Sequence, residues 1–333
     1  MMKSPAISQI ATVVGLLLLT VVPSFGRILV IHSYHEGYDW VQGINKGLAA
    51  HFKPDAPRRL FYMDTKRHPD EAWKKKAAAE AKSVIAEYRP RVVIAVDDNA
   101  QKYVVSSFVG RSRIQFVFCG VNADPNEYGY PAENVTGILE RAYPQQVFQM
   151  LKKIMPTAEN VAWVSDESAT SDLLMPRVRK LADSGKLPLN ITGYSRPVTF
   201  EQWQKTIAYY DKTPGIQALL IPLYHTVKSM TDDKSVQPST VMRWTIAHTR
   251  KPILGFWPFS TDDGALCAVA VDPFEHGKVA ALMANQILAG KKASDLPMLI
   301  NKNGYVIINL KSANRLGIDV PFEVIQSADK VIE

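Results

Sequence analysis

The stretch "RVVIAVDDNAQKYVVSSFVGRSRIQFVFCG", residues 91–120, holds two apolar runs separated by a more polar, helix-length segment. The runs "VVIAV" and "FVF" are apolar throughout and do not alternate with polar residues. A strand of that kind is buried on both faces, as in a parallel sheet. Two such strands joined by a helical connection form a βαβ unit.

The same alternation continues on both sides. Upstream, "RILVIHS" is followed by "WVQGINKGLAAHF", then by "RRLFYMD" and "PDEAWKKKAAAEAKSVIAEYRP". In the last segment Trp73, Ala77, Ala81, Val84, Ile85 and Tyr88 recur at helical spacing, and Pro90 ends the helix. Downstream the pattern begins again. The helix "PQQVFQMLKKIMP" precedes "NVAWVSD", and further strand and helix signals run to "PILGFWP". The strand "ALCAVAVDP", the helix "FEHGKVAALMANQILAG" and "YVIINLKSANRLGI" complete it. These are two α/β units of similar size without an internal sequence repeat. The predicted fold class is therefore α/β, with two doubly wound, Rossmann-like lobes and a cleft between them. The segment "ENVTGILERAY" reads as a crossover from one unit to the other.

A chain of 333 residues with 47% hydrophobic and 21% charged residues has ordinary globular composition, and the length allows two domains. Residues 1–26 differ. Lys3 is their only charge, Ile10 to Val22 is apolar apart from Thr12, Gly15 and Thr20, and Ser24 and Gly26 are small. This is the pattern of a cleaved signal peptide, too short for a typical membrane span. It predicts a secreted, periplasmic protein, and no cysteine near the junction offers a lipid anchor. Only Cys119 and Cys267 are present, which is no disulfide framework, and their apolar settings predict buried free thiols. The net charge of +7 comes from scattered residues, and no nucleic-acid motif accompanies it.

In open α/β sheets ligands bind beyond the carboxyl ends of the strands. Those ends are polar and aromatic here. "RILVIHSYHEGYDW" supplies His32, Ser33, Tyr34, His35, Tyr38 and Trp40; "RVVIAV" ends in Asp97, Asp98 and Asn99; "IQFVF" leads to Asn122. In the second unit the ends carry Ser165, Asp166, Glu167 and Ser168, then Tyr224, His225 and Thr226, then Trp257, Phe259, Asp262 and Asp263. Aromatic faces stack on rings or cations and carboxylates pair with amines, which suits a small polar or amphiphilic ligand. Each position also has a plainer use. One residue of Asp97–Asn99 can cap the helix that follows, and Ser168 and Ser171 can do the same.

Enzymatic motifs are missing. His32 and His35 form H-x-x-H, but on a strand-to-loop transition that does not place both rings on one helical face, so no metal site is predicted. There is no G-x-S-x-G, no phosphate-binding G-x-x-x-x-G-K-[ST] loop and no G-x-G-x-x-G after a strand. No catalytic residue and no cofactor is predicted.

Two stretches carry a family resemblance. "FVFCGVNADPNEYGYPAENVTGILE", residues 116–140, resembles the strand, Asp-Pro turn and Asn-Val-Thr-Gly crossover of the ABC-transporter substrate-binding family that includes periplasmic tryptophan- and tyrosine-binding proteins. Residues 264–298 and 306–321 resemble its C-terminal signature, with Gly277, Ala280 and Ala281 in one helix and the "NLKSANRLGI" ending. The resemblance implies a type I periplasmic-binding-protein fold, in which two lobes joined by three crossovers close on a ligand by hinge motion. After a signal peptide at 1–26, the lobes would be 27–137 with 272–293, and 138–271 with 294–333. The matching loops begin at Ser33, Asp98, Asn122, Ser165, Tyr224 and Trp257. The expected ligand contacts are Ser33, Tyr34, Tyr38, Trp40, Asp98, Asn99, Asn122, Glu140, Ser165, Asp166, Tyr224, His225, Trp257 and Asp263.

The sequence also departs from the family. A Gly-Thr/Ser-Pro-Ala type loop is replaced by Asp97–Ala100, "STDDGAL" stands in place of a Glu-containing segment, and the first loop is more aromatic. Its "HSYH..Y.W" resembles a subgroup fused to, or encoded beside, sensor kinases. The leading expectation is a binding protein that delivers an amino-acid-like molecule to the membrane permease of an ABC importer. The alternatives are a binding protein that signals to a sensor kinase, and a periplasmic enzyme using His32, His35 or the carboxylates.

Overall fold

The computed structural model describes residues 26–111, 113–231, 234–302 and 304–333. The expected leader lies outside them, save Gly26. The first half runs β1 (Ile28–His32), α1 (Asp39–His51), β2 (Arg58–Tyr62), α2 (Glu71–Tyr88), β3 (Val92–Val96), α3 (Asp97–Tyr103), β4 (Gln115–Val121) and β5 (Val135–Leu139). The second half runs α4 (Pro144–Ile154), β6 (Asn160–Val164), α5 (Ala169–Asp183), β7 (Asn190–Ser195), α6 (Phe200–Lys212), β8 (Ala218–Leu220), α7 (Pro238–His248), β9 (Ile253–Gly255), α8 (Pro258–Asp262) and β10 (Cys267–Ala270). The chain ends with α9 (Pro273–Leu288), β11 (Leu299–Ile300), β12 (Tyr305–Asn309), α10 (Leu310–Leu316), α11 (Phe322–Gln326) and β13 (Lys330–Ile332).

The strands form two sheets, ordered β2-β1-β3-β4-β5-β11 and β7-β6-β8-β9-β10-β12-β13. All pairings are parallel except β10 with β12. Both orders reverse direction next to their second strand, between β1 and β3 and between β6 and β8. Such reversals open a crevice beyond the strand ends. Every residue of β1 and β3 is buried, as their unbroken apolar runs require.

Three crossings join the sheets. The chain leaves the first sheet after β5, returns through α9, which packs on α1 and β4, and leaves again after β11. Two expected boundaries shift. "ENVTGILERAY" is not all connection, because Val135–Leu139 is fully buried and pairs with β4, so the crossing follows Leu139 and not residue 137. The last crossing follows Ile300 and not residue 293, because Leu299 and Ile300 add an edge strand beside β5. Two residues carry too little pattern to declare a strand. Cys119 and Cys267 are free, buried and in different sheets. No helix among the described residues is long and apolar enough to cross a membrane.

Candidate functional site

The carboxyl ends of the two sheets face each other across the seam between the lobes. From the first lobe, the loop after β1 brings Tyr34 and Tyr38. Tyr34 Oη lies 3.1 Å from Thr170 Oγ1 of α5 in the other lobe. Tyr38 meets the ring of His225 edge-on at 5.0 Å between centroids and lies 6.1 Å from Phe259. From the second lobe, Trp257 stacks on Phe259 at 5.8 Å, and its indole N–H donates to Glu140 Oε1 at 3.0 Å. His225 packs between Tyr224 and Phe259. The seam is thus lined by rings from both sides.

Several cavities open along it, and two of them reach the rings of Tyr34 and Tyr38. The larger, of about 290 Å³, is bounded by Tyr38, Lys66, His225 and Asp263. The smaller, of about 120 Å³, is bounded by Tyr34, Lys66, Asn99 and Thr226. The larger is near the lower end of volumes that hold small organic ligands, ~300–1,000 Å³.

The fourteen expected contacts divide into two groups. Tyr34, Tyr38, Tyr224, His225, Trp257 and Asp263 surround the seam, and Asn99 lines the smaller cavity. Tyr224 donates to Asp263 Oδ2 at 2.7 Å. Trp40 sits behind them, donating to Asp97 Oδ1 at 2.9 Å. The remainder form a framework whose polar atoms serve the fold. Ser33 Oγ donates to Val96 O and accepts from Ala100 N at 2.9 Å, so a neighbouring strand, not one of Asp97–Asn99, caps α3. Asp98 accepts from the amides of Asn122 and Ala123 and from Tyr128 Oη. Asn122 donates to Glu140 Oε2 at 2.9 Å. Ser165 accepts from the Trp163 indole. Asp166 accepts from Ser168 and Ser171 with one oxygen and from Thr226 N with the other, while Ser168 caps α5.

Asp97, Asp98 and Glu140 are buried close enough to act on one another. Burial raises Asp97 and Asp98, and it pushes Glu140 up to about 8, with the Asp98 charge adding to the shift. Asp97 adopts a left-handed backbone, φ 66°, and its Oδ2 is buried without a partner. Gly120 passes so close that a Cβ there would come within 2.6 Å of Asp97 Oδ1. Thr226 Oγ1 and His225 Nδ1 are likewise shielded and, among the described residues, unpartnered. Lys66 is buried, with its ammonium 4.4 Å from the Tyr34 ring centre and 4.9 Å from that of Tyr38. Lys66, Thr226, Asp97 and Phe259 are the features the list of expected contacts lacks. Lys66 was findable: it lies just past the strand "RRLFYMD", where the strand-end rule applies as it does elsewhere.

Among the described residues, no group of three histidines, cysteines or acids is placed to hold a metal ion. His32 is buried, contacts Asn45 Oδ1 at 2.9 Å through Nε2, and stacks on Tyr62, while burial lowers its pKa to about 4. The two histidines of H-x-x-H therefore have separate surroundings, His35 lying on the rim of the larger cavity.

A family profile described as "ABC transporter substrate binding protein" matches residues 27–332. No curated protein matches the sequence. Among solved structures, an ABC domain in complex with L-Trp from Streptococcus pneumonia is similar at a TM-score of 0.71 and 19% identity, covering 93% of this chain and 100% of that one. The ligand-free, open structure of a substrate binding protein with adhesive properties from Clostridium difficile is similar at 0.67 and 15%, covering 92% and 99%. The 5-methylthioribose transporter solute binding protein from Thermotoga lettingae, bound to 5-methylthioribose, is similar at 0.58 and 13%, covering 91% of each chain. The shared fold is that of the two-lobed type I periplasmic binding proteins.

Proposed function

Since the chain belongs to the ABC transporter substrate-binding protein family, we propose that it captures a small polar or aromatic, amino-acid-like molecule in the interlobe cleft and delivers it to the permease of an ABC importer. Residues 1–26 direct it to the periplasm as a cleaved signal. The observation that carries this reading is the seam itself. Rings from both lobes surround a cavity near the lower end of ligand-pocket size and a smaller one, and polar atoms without partners among the described residues stand beside them. A ligand touching both lobes favours the closed arrangement, and closure marks the loaded protein for its membrane partner. The reaction is capture and release, with no bond made or broken. Relatives crystallised with L-Trp and 5-methylthioribose support a small-molecule ligand for this architecture.

The test is mass spectrometry of whatever purified protein releases on denaturation, followed by incubation of that compound with fresh protein. The expected result is one dominant small molecule, recovered unchanged. Conversion of the compound on incubation would replace this reading with an enzymatic one.

A further inference from the structure

The loop after β2 carries a buried cation that has no ion-pair partner among the described residues. Lys66 is 5% exposed. Among the described residues its ammonium makes no ion pair or hydrogen bond, only the two ring contacts with Tyr34 and Tyr38. A buried lysine is ordinarily paired. The acids in electrostatic range are Asp166, Asp97 and Glu140. Asp166 and Glu140 spend both oxygens on other donors, while Asp97 holds Trp40 through Oδ1 and keeps Oδ2 without a partner among the described residues. None lies within ion-pair distance of Lys66.

The position of this cation matters as much as its isolation. Among the described residues, Lys66 alone borders both the cavity beside Tyr38 and the cavity beside Tyr34. Across the seam, the smaller cavity is bordered by Thr226, whose hydroxyl is buried and unpartnered. An ammonium from one lobe and a hydroxyl from the other thus border the same cavity, each without a hydrogen-bond partner among the described residues, and tyrosine rings stand beside them. We propose that Lys66 is the anion anchor of the cleft, and that the ligand is an aromatic carboxylate. Its ring packs among the seam aromatics, while its carboxylate accepts from Lys66 and Thr226 and so ties the lobes together. This inference rests on the ligand-capture reading and narrows its ligand.

Lys66→Met keeps the stem and removes the charge. Binding is measured by calorimetry at neutral pH with phenylacetate, 3-phenylpropionate, L-phenylalanine, indole-3-acetate and L-tryptophan, each beside its primary amide. The compound released by the wild-type protein joins the set with its own neutral derivative. The wild type is expected to bind acids about ten- to a hundredfold more tightly than the matching amides. Lys66→Met should bind both alike, and Lys66→Arg should retain the preference. The unliganded Lys66→Met protein should melt no lower than wild type, because the change removes an unpaired buried charge; a purely structural lysine would give a lower melting point. Equal binding of acid and amide by wild type, or an acid preference that survives in Lys66→Met, overturns the anchor. So does a released ligand without an acidic group, which leaves the capture reading standing. Failure to find any released or bound compound overturns both.

Discussion

Glu140 stands where the chain first leaves one sheet for the other, and its carboxyl holds Trp257 from the far side of the cleft. Its pKa is raised from 4.5 to about 8, by burial first and the charge of Asp98 second. The folded protein therefore keeps a proton that the unfolded chain has lost. Stability from this group is complete below the unfolded value and declines as pH rises through 8. Each pH unit in that window costs up to about 1.4 kcal/mol per retained proton. Asp97 and Asp98 shift in the same direction. His32 and His276, lowered to about 4 and about 3, act the opposite way, losing their contribution as pH falls below 6.5. Between pH 6.5 and 8 the carboxyls dominate. Urea unfolding across that interval should show wild-type stability falling, and Glu140→Gln should reduce the slope. A variant slope equal to that of wild type would sink this assignment.

At the level of elements, α1 and α9 come together backbone to backbone. A Cβ on Gly277 would overlap the carbonyl oxygen of Ile44, and one on Gly47 would overlap that of Phe274. Ala280 and Ala281 continue the small face and are fully buried. This contact joins the returning crossover helix to the first helix of the lobe, so it fixes where α9 enters and leaves the sheet. Gly277→Ala should force the helices apart and cost ~1–3 kcal/mol in chemical denaturation, as overpacking does. A change below about 0.5 kcal/mol would show that the helices separate freely at this point. The join from β3 to α3 is another element-scale device. Ser33 supplies the cap from the adjacent strand, leaving the first turn of α3 free to hold Asp97 toward the seam.

For the whole molecule, three crossings join the two sheets. Links between the lobes include Tyr34 with Thr170, Tyr38 with His225 and Phe259, and, at the crossing, Glu140 with Trp257 and Arg141 with the carbonyls of Val121 and Asn122. A ligand that touches both lobes shifts the balance between open and closed arrangements. Small-angle scattering of the protein stripped of ligand, then saturated with the compound it releases, should show a smaller radius of gyration in the second state. An unchanged radius at saturation would remove hinge closure from the mechanism.

How much of this could be read in advance follows from what each feature depends on. Buried parallel strands announce themselves because every residue must be apolar, so "VVIAV" and "ILVI" gave β3 and β1 directly, and alternation with helices gave two lobes. The family signature around Gly277 was legible because close helix packing tolerates only small residues there. The edge strand Leu299–Ile300 was not, since two residues show no period. The site was half legible: the strand ends could be located, but not which polar atoms the fold itself consumes. Ser33, Asp98, Asn122, Glu140, Ser165 and Asp166 all looked available in sequence and are all occupied by one another, by neighbouring side chains or by backbone groups. Hydrogen-bond pairing across distant segments has no local signature, so only the tertiary structure could separate this framework from the free groups. For the same reason, the sequence determined two α/β lobes with polar, aromatic strand ends, and only their packing singled out Lys66 as a buried charge left for a ligand.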